Sequence, residues 1–166
     1  MKDKQKKKQE AGLCLIKMVM KIGIDTNVFI RFFDSRFAIE HIKFTLGNAE
    51  VYTHPKCLWE IYKNLKRTNK DPNYYPEGDV GYFINKNKIS LTKQDLSEQE
   101  IKDFEMLCLG RGINCHNPDS EIVLAFNKEG IEVVYSQDSE LRKASRLLGM
   151  KTFKLSPTKI WVEEEN

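Results

Sequence analysis

Apolar and polar residues follow two alternating patterns along the chain, one typical of buried strands and one typical of amphipathic helices. Short, β-branched apolar runs predict strands at residues 19–25, 51–54 (a strand or a turn), 131–136 and, as the final strand, 151–155. Apolar residues at helical spacing predict helices at residues 27–33, 35–46, 55–67, from 97 onward, 118–130 and 139–148. Strands separated by helices predict an α/β fold: a three-layer α/β/α sandwich with a central, mainly parallel sheet.

Local signals mark where several of these helices begin. Ser97 and Glu100 form a capping box, which predicts a helix start at that point. Asn117 is predicted as the N-cap of the next helix, with Pro118 at its first helical position. The buried stripe of the helix after Ser97 is predicted to contain Ile101, Phe104, Leu107 and Cys108. Residues 68–80 contain two prolines and several Asn and Asp residues, which predicts a loop.

The chain has 166 residues, of which 40% are hydrophobic, so it is long enough for one domain with a substantial core. We expect a basic N-terminal extension at residues 1–17 and a single domain at residues 18–166. Residues 1–10 hold five lysines against two acids, which accounts for the whole net charge of +3. Because the rest of the chain is balanced, the overall charge is only a weak argument for nucleic-acid binding.

The cysteines and the apolar segments bear on where the protein acts. The spacing of the four cysteines matches neither paired zinc ligands nor a small disulfide scaffold, which predicts buried thiols in a reducing compartment: Cys14, Cys57, Cys108 and Cys115. No segment approaches the roughly 18 apolar residues needed to span a membrane. We therefore expect a cytoplasmic protein without membrane association.

Four acidic residues are predicted at or near the starts of four different helices. Asp25 and Asp138 each follow a predicted strand, Asp119 lies in the first turn of its helix, and Glu60 lies about one turn into another. In parallel α/β sheets, ligands bind at the carboxyl ends of the strands, where these helix starts meet. Grouped carboxylates repel each other unless a cation neutralises them, so their convergence favours a hard metal ion.

Each acid also has a purely structural interpretation. Asp25 and Asp138 could be N-caps, and the helix dipole favours an acid at Asp119. Glu60 could be a solvated residue on the helix surface. Two other sites are excluded by the residues after Asp25. The phosphate loop of sugar kinases needs glycines there, and the haloacid-dehalogenase phosphatases need a second acid where this chain has Asn27.

The segments IGIDTNVFI, LWEIYKNL, NPDSEIVLAF and VVYSQDSEL resemble the PIN-domain nucleases, and the resemblance extends from Met18 to about Trp161. It implies a catalytic and metal-binding set of Asp25, Glu60, Asp119 and Asp138. It implies supporting polar roles, orienting carboxylates or water, for Thr26, Asn27 and Ser136. Glu140 occupies a position where many relatives carry another acid, which makes it a candidate fifth ligand.

The activity that this resemblance implies is Mg²⁺- or Mn²⁺-dependent hydrolysis of RNA by an endoribonuclease. In that hypothesis the three aspartates bind metal directly, and Glu60 completes the shell through water or positions the nucleophile. The main candidates for contacts with RNA are Arg31, Lys56, Lys63, Arg67 and Arg142. Further candidates are Arg36, Lys66, Arg111, Arg146 and, for base stacking, Tyr74, Tyr75 and Tyr82. The alternative is that these are ordinary surface charges and half-buried rings.

Small single-domain members of the family are often VapC-type toxins, so the resemblance implies an antitoxin partner and a homodimer. Other members process ribosomal or transfer RNA precursors, so an RNA-processing role is the first alternative. The second is a catalytically inactive PIN-fold protein that binds RNA or serves as a scaffold.

Overall fold

The computed structural model of the chain describes residues 19–34, 47, 49–93, 95–155 and 161–164. Its strands are β1 (Lys21–Ile24), β2 (Glu50–Thr53), β3 (Ile89–Leu91), β4 (Val133–Tyr135), β5 (Lys151–Leu155) and β6 (Trp161–Glu164). Its helices are α1 (Thr26–Asp34), α2 (Pro55–Thr68), α3 (Pro76–Asn87), α4 (Glu98–Gly110), α5 (Asp119–Lys128) and α6 (Ser139–Leu147). The basic extension at residues 1–17, the predicted helix at 35–46 and Arg36 lie outside the described residues.

The described strands form one sheet in the order β3-β2-β1-β4-β5-β6. All neighbouring pairs from β3 to β5 are parallel, and only β6 pairs antiparallel with β5. The mainly parallel sheet predicted from the sequence is thus confirmed. The chain moves outward from β1 to β2 and β3, then returns to place β4 on the other side of β1. This makes the boundary between β1 and β4 the topological switch point, where α/β sheets bind ligands.

Helices cover both faces of the sheet, which confirms the three-layer sandwich. On one face, Ile22 and Ile24 of β1 pack with α1, α2 and α3. On the other face, Val134 of β4 packs with α4, α5 and α6. The alternation of side chains along each strand produces these two cores, because successive residues of a strand point to opposite faces.

Gly23 in β1 allows α5 to lie close to the sheet. A Cβ atom at this position would lie 2.8 Å from ring atoms of Phe126. Such a distance is shorter than a van der Waals contact, so the ring occupies the space that any side chain at residue 23 would need. Because Phe126 belongs to the helix that begins at Asp119, this close packing also sets the distance of that acid from β1.

Three elements differ from the predictions. Residues 76–80 are the start of α3, so the prediction of a loop across residues 68–80 was wrong beyond Tyr75. The glycines of α3 hid its helical pattern, yet Val80 is fully buried and packs in the core. β3 was not predicted because it has only three residues. The prediction that residues 151–155 form the final strand was wrong, since the half-polar edge strand β6 follows them.

The capping box before α4 is confirmed. Ser97 accepts a hydrogen bond from the backbone N–H of Glu100 at 3.2 Å, and the Glu100 carboxylate accepts one from the backbone N–H of Ser97 at 2.8 Å. The predicted stripe was wrong at one position, because the Leu107 side chain is exposed. Ile101, Phe104 and Cys108 are buried, so α4 buries a face narrower than the apolar residues indicated.

The predicted start of α5 was also wrong by one position. Pro118, not Asn117, is the N-cap residue, and Asp119 is the first helical residue. The peptide bond between Asn117 and Pro118 is cis. The Asn117 side chain is used elsewhere: its Oδ1 accepts a hydrogen bond from the Lys56 ammonium, and its amide donates to Glu121. Among the described helices, none is long and apolar enough to cross a bilayer.

Candidate active site

Asp25 lies directly after β1 and is only 4% exposed. Its Oδ1 accepts a hydrogen bond from the backbone N–H of Val28 at 2.9 Å, so Asp25 caps α1. Its Oδ2 accepts a hydrogen bond from the hydroxyl of Ser136. The structural interpretation and the functional one are therefore compatible at this residue, because the cap holds the buried carboxylate in one orientation.

Ser136 connects the ends of β1 and β4. It follows β4, is fully buried, and donates its hydroxyl proton to Asp25. The same oxygen accepts the backbone N–H of Asp138 at 2.9 Å. Asp138 is itself the N-cap of α6, where its Oδ1 accepts the backbone N–H groups of Glu140 and Leu141 at 2.7 and 2.9 Å. The predicted supporting residue Ser136 thus links two of the predicted catalytic acids.

The other two acids approach from different helices. Glu60 on α2 is half-buried, and its carboxylate accepts a hydrogen bond from the buried hydroxyl of Thr26 at 2.5 Å. Because Thr26 is the first residue of α1, this bond joins α2 to the helix that Asp25 caps. Asp119 is half-buried at the first position of α5. Asn27, the third predicted supporting residue, is exposed on α1.

The four acids influence one another electrostatically. Burial raises the pKa of Asp25 to about 6, and the charges of Asp138 and Glu60 also raise it, against the lowering effect of its two hydrogen bonds. The pKa of Asp119 is likewise raised to about 6 by burial and by the other three acids. Among the described residues, none of the four carboxylates forms an ion pair. The structure therefore brings the predicted acids into one uncompensated group, which we call the acid site.

The acid site offers oxygen ligands only, which is the donor set that Mg²⁺ and Mn²⁺ prefer. Within the described part of the chain, no group of three or more His, Cys, Asp or Glu side chains stands arranged to hold a metal ion. Several carboxylate oxygens bond instead to Ser136, Thr26 and backbone N–H groups. The donor chemistry and the uncompensated charge fit a hard cation, and metal binding itself stays a prediction.

Glu140 is oriented differently from the four acids. Its carboxylate accepts the backbone N–H of Asn114 at 2.7 Å and pairs with Lys143 at 2.6 Å. Lys143 thereby holds the pKa of Glu140 below its usual value, and the Asn114 bond acts in the same direction. Since this carboxylate already has a cationic partner, its surroundings favour a structural role over that of a fifth ligand.

A buried histidine beside the acid site was missed in the sequence. His54 follows β2 just as Asp25 follows β1, and it is fully buried as the N-cap of α2. Its Nδ1 accepts the backbone N–H of Lys56 at 3.1 Å, while its Nε2 lies 3.9 Å from the Glu121 carboxylate without a hydrogen bond. Burial lowers the pKa of His54 to about 4, so the ring is neutral at physiological pH. Its position at the end of a predicted strand, directly before Pro55, was the available signal.

An ion pair joins the helices that carry Glu60 and Asp119. The ammonium of Lys56 on α2 pairs with the carboxylate of Glu121 on α5 and donates to Asn117 Oδ1 at 2.8 Å. Lys56 lies one turn before Glu60, and Glu121 lies two residues after Asp119. In the structure, Lys56 holds the two acid-bearing helices together, and its predicted contact with RNA stays a prediction.

The other candidates for contacts with RNA differ in exposure. Arg31, Lys63 and Arg67 are exposed, as are Lys66, Arg111, Tyr75 and Tyr82. Tyr74 is half-buried, and its hydroxyl donates to Asp79 at 3.0 Å. Arg146 donates to Glu164 and to the hydroxyl of Thr152, each at 2.8 Å.

Arg142 requires a correction. It is 5% exposed, and its guanidinium donates to the carbonyl of Ser136 at 3.0 Å and to the Glu164 carboxylate. A contact with RNA does not fit this position, because β6 covers the side chain and supplies its partner. The arginine connects the edge of the sheet to the loop that carries Ser136.

The cysteines in the described residues are buried free thiols, as predicted: Cys57, Cys108 and Cys115. Burial raises the pKa of Cys57 to about 12, so its thiol is neutral. Cys115 is buried while the neighbouring His116 is exposed. This arrangement gives no support to a metal site at that pair.

No protein-family model matches the chain, and no curated protein matches it. Solved structures do. A chain of VapBC2 from Rickettsia felis, determined bound to a DNA fragment from its promoter, aligns with a TM-score of 0.61 at 12% identity. The alignment covers 86% of this chain and 100% of that one. The fold is PIN-like. PAE2754 from Pyrobaculum aerophilum aligns with a TM-score of 0.47 at 13% identity, over 81% of this chain and 92% of that one. At 12% identity, the likeness to the VapBC2 chain shows the fold alone, and the chemistry has to be argued from the site.

Proposed function

We propose that the protein is a metal-dependent endoribonuclease that hydrolyses RNA phosphodiester bonds at the acid site. The observation that carries this proposal is the grouping of four carboxylates at the switch point of a PIN-like fold. Among the described residues, none of the four has an ion-pair partner. A stable fold has little reason to bring like charges together, so their grouping favours a functional cation.

In this proposal, Asp25, Asp119 and Asp138 hold Mg²⁺ or Mn²⁺. A bound ion of this kind lowers the pKa of water and neutralises charge that develops on a phosphate during hydrolysis. Ser136 and the N–H of Val28 keep Asp25 in place. With pKa values of about 6, Asp25 and Asp119 are mainly ionised above neutral pH, which is the form that binds a cation.

Glu60 has a different role in the proposed reaction. The hydroxyl of Thr26 fixes its carboxylate at the rim of the site. We assign Glu60 to position the attacking water, or to complete the shell of the ion through water. The ion pair between Lys56 and Glu121 keeps the helix of Glu60 at a fixed distance from the helix of Asp119.

The biological role we favour is that of the toxin in a toxin-antitoxin pair, with RNA as substrate, an antitoxin as partner and a homodimer as the assembly. The likeness to a chain of VapBC2 supports this role. The alternatives are maturation of ribosomal or transfer RNA and an inactive protein that binds RNA. A short gene for a DNA-binding protein next to this one would favour the toxin, and its absence would favour processing.

The test is cleavage of a mixed-sequence single-stranded RNA in Mg²⁺ or Mn²⁺, with EDTA as the control. Asp25→Asn should lose cleavage while remaining folded by circular dichroism. Asp103→Asn is a matched control, because Asp103 is an exposed acid on α4 that bonds to Gln99. Equal cleavage in EDTA and in Mn²⁺, or normal cleavage by Asp25→Asn, would reject the proposal.

A further inference from the structure

The outer surface of α2 combines an exposed tryptophan with cations. Trp59 is 61% exposed, and the ammonium of Lys63 lies 3.7 Å from the centre of its ring. Lys66 and Arg67 are exposed on the next turn of the helix. We call Trp59, Lys63, Lys66 and Arg67 the basic face of α2. The helix carries four cations and one acid, and that acid is Glu60 of the acid site.

The cations of the basic face have no acidic partner among the residues that the structure describes. In the part of the chain that the structure describes, Lys63, Lys66 and Arg67 form no ion pair. The hydrogen bond that Arg67 donates goes to the neutral side chain of Asn64 at 3.2 Å. These three positive charges have no ion-pair partner among the described residues, so they create a local field that attracts an anionic ligand, although residues 11–166 carry no net charge.

The basic face begins at the acid site. Trp59 directly precedes Glu60, and Lys63 and Arg67 follow Glu60 at spacings of three and seven residues, which place them on its side of the helix. At 1.5 Å per residue, this side extends about 10 Å away from Glu60. The basic face is therefore continuous with Glu60 along one side of α2.

Two properties of this surface identify the chemistry of its ligand. Lysine and arginine contact phosphates, and an exposed indole stacks on a flat base. In a duplex, neighbouring bases already cover each base face, so only a single strand offers a base to Trp59. A protein partner fits less well, because charged residues are depleted around the aromatic anchors of protein interfaces, whereas here cations surround the ring.

We propose that the basic face of α2 binds the single-stranded RNA that flanks the bond cleaved at the acid site. Trp59 stacks on one base, and Lys63, Lys66 and Arg67 contact phosphates. The proposal rests on the proposed function for the direction of the strand, while binding itself requires neither metal nor cleavage.

The protein contains a matched control for Trp59. Tyr82 on α3 is 68% exposed, and the ammonium of Lys86 lies 5.9 Å from its ring centre. This pair has the same aromatic and cationic chemistry, but α3 also carries Glu77 and Asp79 in its first turn. The field around Tyr82 is therefore not positive, and none of the four acids lies on α3. Both facts argue against the base-stacking role that the sequence left open for Tyr82, which makes it a suitable control.

The experiment measures fluorescence anisotropy of a short, fluorescein-labelled single-stranded RNA of mixed sequence in EDTA, with its duplex as a second probe. Wild type should bind the single strand more tightly. Trp59→Ala should weaken that binding about tenfold, as the loss of one stacked base does. Trp59→Phe should restore most of it, and Tyr82→Ala should match wild type. Circular dichroism checks the fold of each variant.

Salt dependence supplies a second, independent readout. Each phosphate contact in a single strand contributes about 0.7 to the slope of log K against log salt concentration. Replacing both Lys63 and Lys66 by Ala should therefore reduce the slope by about 1.4. The proposal would be overturned if Trp59→Ala and Tyr82→Ala bound the single strand equally tightly, or if the double variant left the salt slope unchanged. Either result is also expected if the basic face binds a protein and not RNA.

Failure of this inference is distinguishable from failure of the proposed function. If the binding effects appear but the wild type does not cleave RNA in Mn²⁺, only the nuclease assignment fails. If the wild type cleaves RNA in Mn²⁺ and Trp59→Ala leaves KM unchanged, only the binding surface fails.

Discussion

The protein contains two groups of charged side chains: the acid site, at the carboxyl end of β1, and a paired group around Glu164, at the β5–β6 edge. The pKa values of the carboxylates are shifted in opposite directions in the two groups. In the acid site, burial and neighbouring acids raise the pKa of Asp25 and of Asp119 to about 6. In the paired group, Glu164 forms ion pairs with Arg142, Arg146 and Lys154. These interactions, of which the hydrogen bond with Arg142 is the largest, lower the pKa of Glu164 to about 2.

The difference separates charges that hold the fold together from charges that are available to a ligand. Glu164 has three cationic partners within the protein, so it needs nothing further. The acids of the acid site have no ion-pair partner among the described residues. Arg142 connects the two groups, since it donates to the carbonyl of Ser136 and pairs with Glu164. The paired group around Glu164 thus supports the loop of Ser136, and Ser136 in turn orients Asp25 of the acid site.

The largest expected effect is on catalysis by the acid site. Asp25→Asn should reduce the rate of RNA cleavage in Mn²⁺ by more than about 100-fold, because Asp25 is a charged ligand of the metal ion in the proposed function. Asn can still accept the N–H of Val28, so the cap of α1 is retained. A single-turnover assay at saturating RNA measures the rate. A loss below tenfold would show that Asp25 is only a cap.

The next effect is the pH dependence of stability without metal. The raised pKa means that the native state holds more protons than the unfolded state between the ordinary value of 3.8 and about 6. Stability from this group is therefore present at low pH and lost as pH rises through about 6. For Asp25 the difference is about 3 kcal/mol. Urea unfolding in EDTA from pH 4 to pH 8 should show this decline. Asp25→Asn should remove the share that Asp25 contributes, while the share of Asp119, whose pKa is also raised to about 6, remains.

A smaller effect is expected for the paired group. Glu164→Gln leaves Arg142 and Arg146 without their anionic partner, which should lower the free energy of unfolding by about 2 kcal/mol. Because the pKa of Glu164 is lowered, its contribution is present above pH 4.5 and lost as pH falls through about 2. Chemical denaturation at pH 7.5 measures the loss. The rate of RNA cleavage by Glu164→Gln at 25 °C should stay near normal. A loss of rate as large as that of Asp25→Asn would show that the paired group around Glu164 is not purely structural.

The ion pair between Lys56 and Glu121 should have a still smaller effect. Lys56→Ala removes the contact that fixes α2 against α5, so the alignment of Glu60 with Asp119 should loosen and kcat should fall about fivefold. Lys56→Arg should recover most of the rate, while KM should change little. A change confined to KM would instead identify Lys56 as an RNA contact, as the sequence first indicated.

The smallest effect is expected for Glu140, an acid with a cationic partner next to the acid site. Glu140→Gln should change cleavage by no more than about twofold, because its carboxylate pairs with Lys143 and bonds to Asn114. The same assay as for Asp25→Asn applies. A loss of 100-fold would return Glu140 to the set of metal ligands.

The sequence predicted the parts of the molecule that depend on local signals. The positions of Asp25, Asp119 and Asp138 at the starts of helices were predicted correctly, because neighbouring residues mark strand ends and helix starts. The parallel topology places those strand ends at one edge of the sheet. The capping box at Ser97 was found for the same reason. Helix α3 was missed because its two glycines and its proline resemble a loop, whereas in the structure Val80 and Phe83 pack against the core and stabilise the helix.

Partners that are distant in the sequence could not be predicted. Arg142 was assigned to the surface because its burial depends on Glu164, which lies 22 residues away on a strand that was itself missed. Lys56 pairs with Glu121 across 65 residues, and no periodicity in the chain specifies that contact. The pairing of individual charges, which decides whether a charge is structural or available, thus became visible only in three dimensions.

The central claim is that the uncompensated carboxylates form a cation site. The most direct measurement is a titration of wild type, Asp25→Asn and Glu164→Gln with Mn²⁺ at pH 7.5. The melting temperature and the electron paramagnetic resonance signal of free Mn²⁺ report binding. Saturable binding that raises the melting temperature is predicted for wild type and Glu164→Gln, and its loss for Asp25→Asn. Absence of saturable binding at millimolar Mn²⁺ in wild type, or unchanged binding by Asp25→Asn, would contradict it.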